Sequence, residues 1–250
     1  MFMHMRSIQA IKNSINSVLS LANLRLVHAK WGPIGFAETF RKIRKAGVVP
    51  AQIVDVGASR GVWTLECMSV FPEASYFMVD PLEQNWPFLE SLTRSRDSIK
   101  AWKGALGTND GYLPMHIHGD QSSFLESEYS AIQEPCRIEV EIRPLDSFLG
   151  SMLKPPDLIK LDVQGFELEV LRGAERCMSN SEVILSEVSF YETYKGCPLA
   201  HEVISFLGER GFRIFDICAY VQRPYDGALF QSDIVFAKHD SVLFKHEGYR

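Results

Sequence analysis

Val54-Asp55-Val56-Gly57-Ala58-Ser59-Arg60-Gly61 ends a short apolar run that starts at Ile53 and leads into a helical pattern from about Val62. A buried strand, a glycine-bearing turn and a helix make the first half of a βαβ unit. Gly57 permits the sharp turn. Gly61 lets the helix begin close to its neighbours, and the missing side chains let a ligand touch backbone. A carboxylate at Asp55 is placed either to orient the loop or to hold a ligand amine. The next strand, Tyr76-Phe77-Met78-Val79, stops at Asp80, 19 residues beyond Gly61. An acid there accepts the hydroxyl hydrogens of an adenosine ribose.

Outward from this stretch the strand–helix alternation continues. A helix is expected near Gln84 to Thr93, and a third strand near Ile99 to Leu106. Short β-prone pieces follow from Tyr112 to Ile142. Leu158, Ile159 and Leu161 form a fourth strand ending at Asp162, and a helix runs from about Phe166 through Glu175. A fifth strand, Val183 to Val188, contains Glu187. His201 to Glu209 reads as a helix closed by Gly211, before two adjacent, antiparallel strands, Phe212 to Val221 and Leu229 to Ala237. The expectation is a doubly wound α/β domain over residues 51–250, its seven-stranded, mostly parallel sheet covered on both faces. Ahead of it, residues 1–50 read as a helical cap. Ile8, Ile11, Ile15, Val18 and Leu21 make one apolar stripe, and Phe36, Phe40 and Ile43 a second short helix. The first stripe is a candidate surface for a homo-oligomer.

Composition narrows the class. The 250 residues carry 46% hydrophobic and 23% charged residues, ordinary for a folded domain. A net charge of −5 gives no basic footprint for nucleic acid. No apolar run approaches the ~20 residues of a membrane span. Five widely spaced cysteines, an odd count without a C-x-x-C pair, argue for free thiols in a reducing, cytoplasmic setting rather than disulfides or zinc. No Asp or Glu precedes Glu38. That acid-poor segment is compatible with a transit peptide or a surface helix, and a packed helix is preferred.

The glycine loop discriminates between cofactors. A dinucleotide fingerprint, G-x-G-x-x-G, needs its middle glycine so that pyrophosphate can approach the backbone. Ser59 occupies that position here. A loop preceded by Asp55 suits a cofactor with an amino-acid tail and no phosphate, which S-adenosylmethionine is.

With these pieces in order, the chain resembles the FkbM-type methyltransferases, a branch of the Rossmann-like class I fold, from about Gln52 onward. The resemblance rests on Asp55 to Gly61 with Thr64; Asp80-Pro81; Ala105-Leu106-Gly107; Ser122-Ser123; Pro144-Leu145-Asp146; Leu161 to Glu167 followed by Leu171-Arg172-Gly173-Ala174; Glu187; and Ser232 to Phe236. It implies an S-adenosylmethionine-dependent O-methyltransferase acting on sugars, glycans or secondary metabolites. Carried over by position, Asp55, Gly57, Ala58 and Gly61 line the methionine end, with Ser59 in the same loop and Thr64 just after it. Asp80, with Pro81, binds ribose, and Leu106, Ser122 and Ser123 lie near adenine. This sequence departs from the family twice. Ser59 stands where asparagine is frequent, and Gln164 where glutamate is common; the latter weakens a metal or base role at that point. N-methylation and a non-catalytic adenosine-binding module remain the alternatives.

Methyl transfer to a hydroxyl needs a placed nucleophile and benefits from a general base. Asp162 and Glu187, at neighbouring strand ends, are the candidates for base, hydroxyl binder or metal ligand; Asp162 as a cap of the following helix is the structural alternative. His116 and His118, two apart in a β-prone stretch, share one face and make His116 a further base candidate. No metal site is assigned. Phe190, Tyr191 and Tyr194 could form an acceptor wall.

Overall fold

A computed structural model describes residues 35–127 and 136–245. The first apolar stripe, Ile8 to Leu21, and the self-association expected of it lie outside the described residues.

Helix α1 (Phe36–Lys45) leads into strand β1 (Gln52–Val56), then α2 (Val62–Met68), β2 (Ser75–Val79), α3 (Trp86–Ser95) and β3 (Ile99–Trp102). Three short strands follow: β4 (Ala105–Leu106), β5 (Gly111–His116) and β6 (Arg137–Arg143). The alternation resumes with β7 (Leu158–Leu161), α4 (Glu167–Arg172), α5 (Glu175–Asn180), β8 (Val183–Ser189) and α6 (Ala200–Glu209). The hairpin β9 (Phe212–Gln222) and β10 (Leu229–Lys238) closes the domain. The main sheet has seven strands in the order β3-β2-β1-β7-β8-β10-β9. Its first five members are parallel, and β10 runs antiparallel to both β8 and β9.

The side-chain period of two sorts the strands between two cores. Val54, Val56, Phe77, Ile159, Leu161 and Ile184 bury one face together with Leu168 and Leu171 of α4, Cys177 of α5 and Leu207 of α6. Ile53, Met78, Leu158, Leu185 and Val235 bury the other, with Phe40 of α1, Trp63 of α2 and Leu89 of α3. α1 is part of this second core: the Phe40 ring meets Trp63 edge-on at 5.4 Å. Gly35 N–H also donates to Cys218 O at 3.0 Å.

Two expectations change. The third strand is split, because only Ile99–Trp102 joins the main sheet. Ala105–Leu106 pairs instead with β6, and with β5 these form a separate three-stranded sheet, order β4-β6-β5. The expected helix through Glu175 is likewise two short helices broken at Gly173. There a Cβ would meet Gly107 O at 2.0 Å, so the chain turns where backbones touch.

The topology fixes where a ligand sits. From β1 the chain steps outward to β2 and β3, then returns to β7 on the opposite side of β1. Such a switch point opens a crevice beyond the carboxyl ends of the strands. Gly57 ends β1 there and Asp162 ends β7, so close that a Cβ on Gly57 would lie 1.8 Å from Asp162 O.

Candidate active site

A cavity of about 450 Å³ occupies the crevice, within the usual range for a small-molecule site. Its wall includes Gly57, Ser59, Asp80, Pro81, Leu106, Ser122 and Asp162, all anticipated, with Gln164 and Phe166 from the Leu161–Glu167 stretch, and Asn85 and Phe124, which were not anticipated. No Lys or Arg is among the described lining residues.

Asp55, Ala58, Gly61, Thr64 and Ser123 do not line it. The Asp55 carboxylate is 0% exposed. One oxygen accepts the Thr64 hydroxyl at 2.6 Å, and the other lies 3.1 Å from Lys160 Nζ. Asp55 therefore braces the loop from beneath, with both oxygens facing partners inside the protein. Ser123 is equally internal; its hydroxyl donates to Gln164 O at 2.7 Å. It braces the cavity wall without forming it.

Lys160 was not anticipated. Its ammonium is 4% exposed and donates to Gly57 O at 2.8 Å. It stands 3.7 Å from Asp162 Oδ2. Burial alone would lower its pKa, but Asp55 and then Asp162 override that and raise it. One buried cation thus ties the glycine loop, Asp55 and the end of β7 together.

At the end of β2, Asp80 is nearly saturated. Oδ1 accepts Leu82 N–H at 3.0 Å and Asn85 Nδ2 at 2.9 Å, while Oδ2 accepts Ser59 N–H at 2.8 Å. A carboxylate has about four acceptor positions, so one remains, on Oδ2. Burial, the largest cause, raises its pKa against these donors. Asn85 Oδ1, buried beside it in the cavity wall, has no hydrogen-bond partner. The expectation that Asp80 takes both ribose hydroxyls is thus revised: the geometry offers one acceptor on Asp80 and a second on Asn85.

Beyond Asp162 lies a group of acids. Glu187 sits opposite Asp233 in the β8–β10 register. Glu167 Oε1 accepts Val163 N–H at 3.2 Å and Gly165 N–H at 3.1 Å. That carboxylate holds the turn into α4, so the structural alternative for Asp162, capping this helix, does not apply. Burial pushes Glu167 up to about 7, and burial reinforced by Asp162 pushes Asp233 up to about 7. Glu187 rises well above the usual carboxylate range, from burial first and then Asp162 and Asp233. Asp162, 38% exposed, is the acid open to the cavity.

The FkbM methyltransferase domain matches residues 55–214 of this sequence. The chain belongs to the FkbM methyltransferase family. It is 25% identical over 218 residues to 2-O-methyltransferase NoeI of Sinorhizobium fredii, a match covering 77% of this chain and 88% of that protein. It is 24% identical over 194 residues to methyltransferase sdnD of Sordaria araneosa, covering 65% and 73%. Among solved structures, the FkbM methyltransferase of Methylobacillus flagellatus aligns with 75% of this chain, at 17% identity and a TM-score of 0.48. The chain spans 43% of that structure's length.

The two places where this FkbM methyltransferase departs from the family pattern share one property. Ser59, at φ 48, and Gln164, at φ 53, are the non-glycine residues in the left-handed region among the described residues. Asparagine enters that region more readily than serine or most other residues.

The histidines fare differently. His116 is buried at the last position of β5, burial lowers its pKa, and it is not among the cavity-lining residues. His118 lies past the strand end, at the start of a 3₁₀ turn, so the shared face expected of the pair is lost. Of the aromatic wall, Tyr191 stacks on Phe230 at 6.3 Å and Tyr194 is buried against Gln164, leaving Phe190 half-exposed. No helix among the described residues is long and apolar enough to cross a membrane.

Proposed function

We propose that this methyltransferase uses S-adenosylmethionine and methylates a hydroxyl of a sugar, glycan or related small metabolite, with Asp162 and Glu187 on the acceptor side. The observation that carries the cofactor reading is the charge of the cavity. Its described wall holds Asp80 and Asp162 and no basic side chain. A pyrophosphate would be repelled there, whereas a cationic sulfonium and ammonium are favoured. The residues present also fit the ribose: the open position on Asp80 Oδ2 and the unpartnered Asn85 Oδ1 are two acceptors for two hydroxyl donors. Phe124 and Phe166, with ring centroids 4.9 Å apart, and Leu106 offer the apolar wall an adenine requires.

When bound, S-adenosylmethionine supplies an electrophilic methyl carbon. The protein's own contribution is placement and proton handling. Asp162, in the cavity wall, would accept a hydrogen bond from an acceptor hydroxyl, with Glu187 set behind the wall and joined to it through the Gln164 amide. Hydroxyl rather than amine methylation agrees with the name of the 2-O-methyltransferase relative. The domain division proposed is a family domain from residue 51 onward, preceded by α1, which packs into the second core.

The test is transfer of labelled methyl from S-adenosylmethionine to a panel of oligosaccharides and hydroxylated metabolites. Asp162→Asn and Glu187→Gln should each lower the rate on the true acceptor by on the order of 10²-fold. If both variants turn over at the wild-type rate, the acceptor-side role of these acids is refuted.

A further inference from the structure

Gln164 sits between the two acids just assigned. Its Nε2 lies 2.9 Å from Asp162 Oδ1 and 3.2 Å from Glu187 Oε2. Its Oε1 lies 2.8 Å from the Tyr194 hydroxyl, whose single hydrogen is shared with Gln121 O at 3.1 Å. Carboxylates only accept, and the amide nitrogen carries two hydrogens, so each acid receives one. The amide is therefore held at both ends: reversed, it would set Oε1 against two carboxylates. The backbone adds an independent sign. Gln164 holds φ 53, a left-handed conformation that a non-glycine residue keeps only where its surroundings impose it. Ser123 contributes to imposing it, by donating its hydroxyl to Gln164 O.

We propose that Gln164 is a positioning residue, steadied by Tyr194, whose amide holds Asp162 and Glu187 side by side and favours their ionised forms. The proposal rests on the acceptor-side reading of these acids. The groups facing Glu187 all bear on it. Asp162 and Lys160 come from β7, Asp233 from β10 and Glu167 from α4. Gln231, also from β10, donates a second amide N–H to Glu187 Oε2 at 3.0 Å. Of these, Lys160 supplies the opposite charge, and it is already engaged with Asp55 and Gly57. The Gln164 and Gln231 amides thus supply N–H donors that oppose the rise burial and the neighbouring acids impose on the Glu187 carboxyl. A glutamate at position 164 would add a third carboxylate instead of a bridge.

The experiment follows the Glu187 carboxyl carbon by NMR in protein labelled at glutamate, assigned with Glu187→Gln, over a pH series without added metal. Gln164→Met keeps the length of the side chain and removes both N–H donors. It should raise the Glu187 titration midpoint by about one unit or more, the scale of a lost charge-assisted hydrogen bond. Tyr194→Phe touches neither acid directly; by loosening the amide it should raise the midpoint in the same direction by a smaller amount. A purely structural role for either residue would lower the melting temperature without moving that midpoint. A wild-type midpoint in either folded variant overturns the proposal. Failure of wild-type protein to bind S-adenosylmethionine in calorimetry would instead refute the cofactor reading and leave the titration result standing.

Discussion

Replacing Lys160 by methionine is the most informative single perturbation of the framework under the site. The methionine fills nearly the same volume but leaves Asp55, 0% exposed, without its cation. At 3.1 Å and an effective dielectric of about 20, the attraction lost is about 5 kcal/mol. Relief of the lysine's own desolvation offsets part of this, and breaking a buried pair by removing one partner usually costs about 3–5 kcal/mol. For a chain of this size that corresponds to a melting temperature lower by about 6–20 °C. Gly57 O also loses its 2.8 Å donor, so the loop should loosen and cofactor affinity should fall with stability. Asp55→Asn in the same protein removes the stranded charge and keeps an acceptor for the Thr64 hydroxyl. It should restore about 2 kcal/mol, a coupling typical of contacting residues. The assay is thermal and urea unfolding of the two single variants, the double variant and wild type. A Lys160→Met protein within about 1 kcal/mol of wild type, or a double variant no more stable than Lys160→Met, would refute the claim that one buried pair holds the loop.

Glu167 sets a pH dependence. Its folded pKa, about 7, lies above the ordinary 4.5, so the folded state binds the proton more tightly. Its contribution is therefore fully present below about 4.5 and lost as pH rises through 7. Glu167→Gln lacks this titration, so wild type should lose up to about 3 kcal/mol relative to the variant between pH 4.5 and pH 8. A stability difference that stays flat across those pH values contradicts it. At the loop, Ser59→Asn should relieve the strain of φ 48 while keeping the backbone bond to Asp80, raising stability by about 0.5–1 kcal/mol. A melting temperature at or below wild type in calorimetry would show that the left-handed position carries no strain.

The parts legible in the sequence are those with local periodicity or a local turn. The strand–glycine–helix of Val54 to Gly61, the strand ends at Asp80 and Asp162, and the antiparallel final hairpin all appear where the pattern puts them. What was missed depends on pairings far apart in sequence. Ala105–Leu106 looks continuous with the preceding strand, yet its partner is Ile142–Arg143. Lys160 resembles a solvent-facing lysine. The usable signal was its place in a strand of a parallel sheet covered on both faces, two positions before Asp162, where a charge must have a partner. Asn85 and Phe124 carry no motif; Asn85 reaches the cavity through its bond to Asp80, and Phe124 with Phe166 through packing against the second sheet. Gln164 read as a missing charge; only the fold brings its amide between two carboxyl groups.

The central claim is an adenosine-bearing, phosphate-free cofactor in the crevice between β1 and β7, and isothermal calorimetry tests it most directly. Wild-type protein is titrated with S-adenosylmethionine, S-adenosylhomocysteine and NAD, alongside folded Asp80→Ala. The account predicts one-to-one binding of the first two and none of NAD. Asp80→Ala should bind about 10- to 150-fold more weakly, the loss of one charge-assisted hydrogen bond of about 1.5–3 kcal/mol. Binding of NAD in preference to S-adenosylmethionine, or an unchanged affinity in Asp80→Ala, would contradict it.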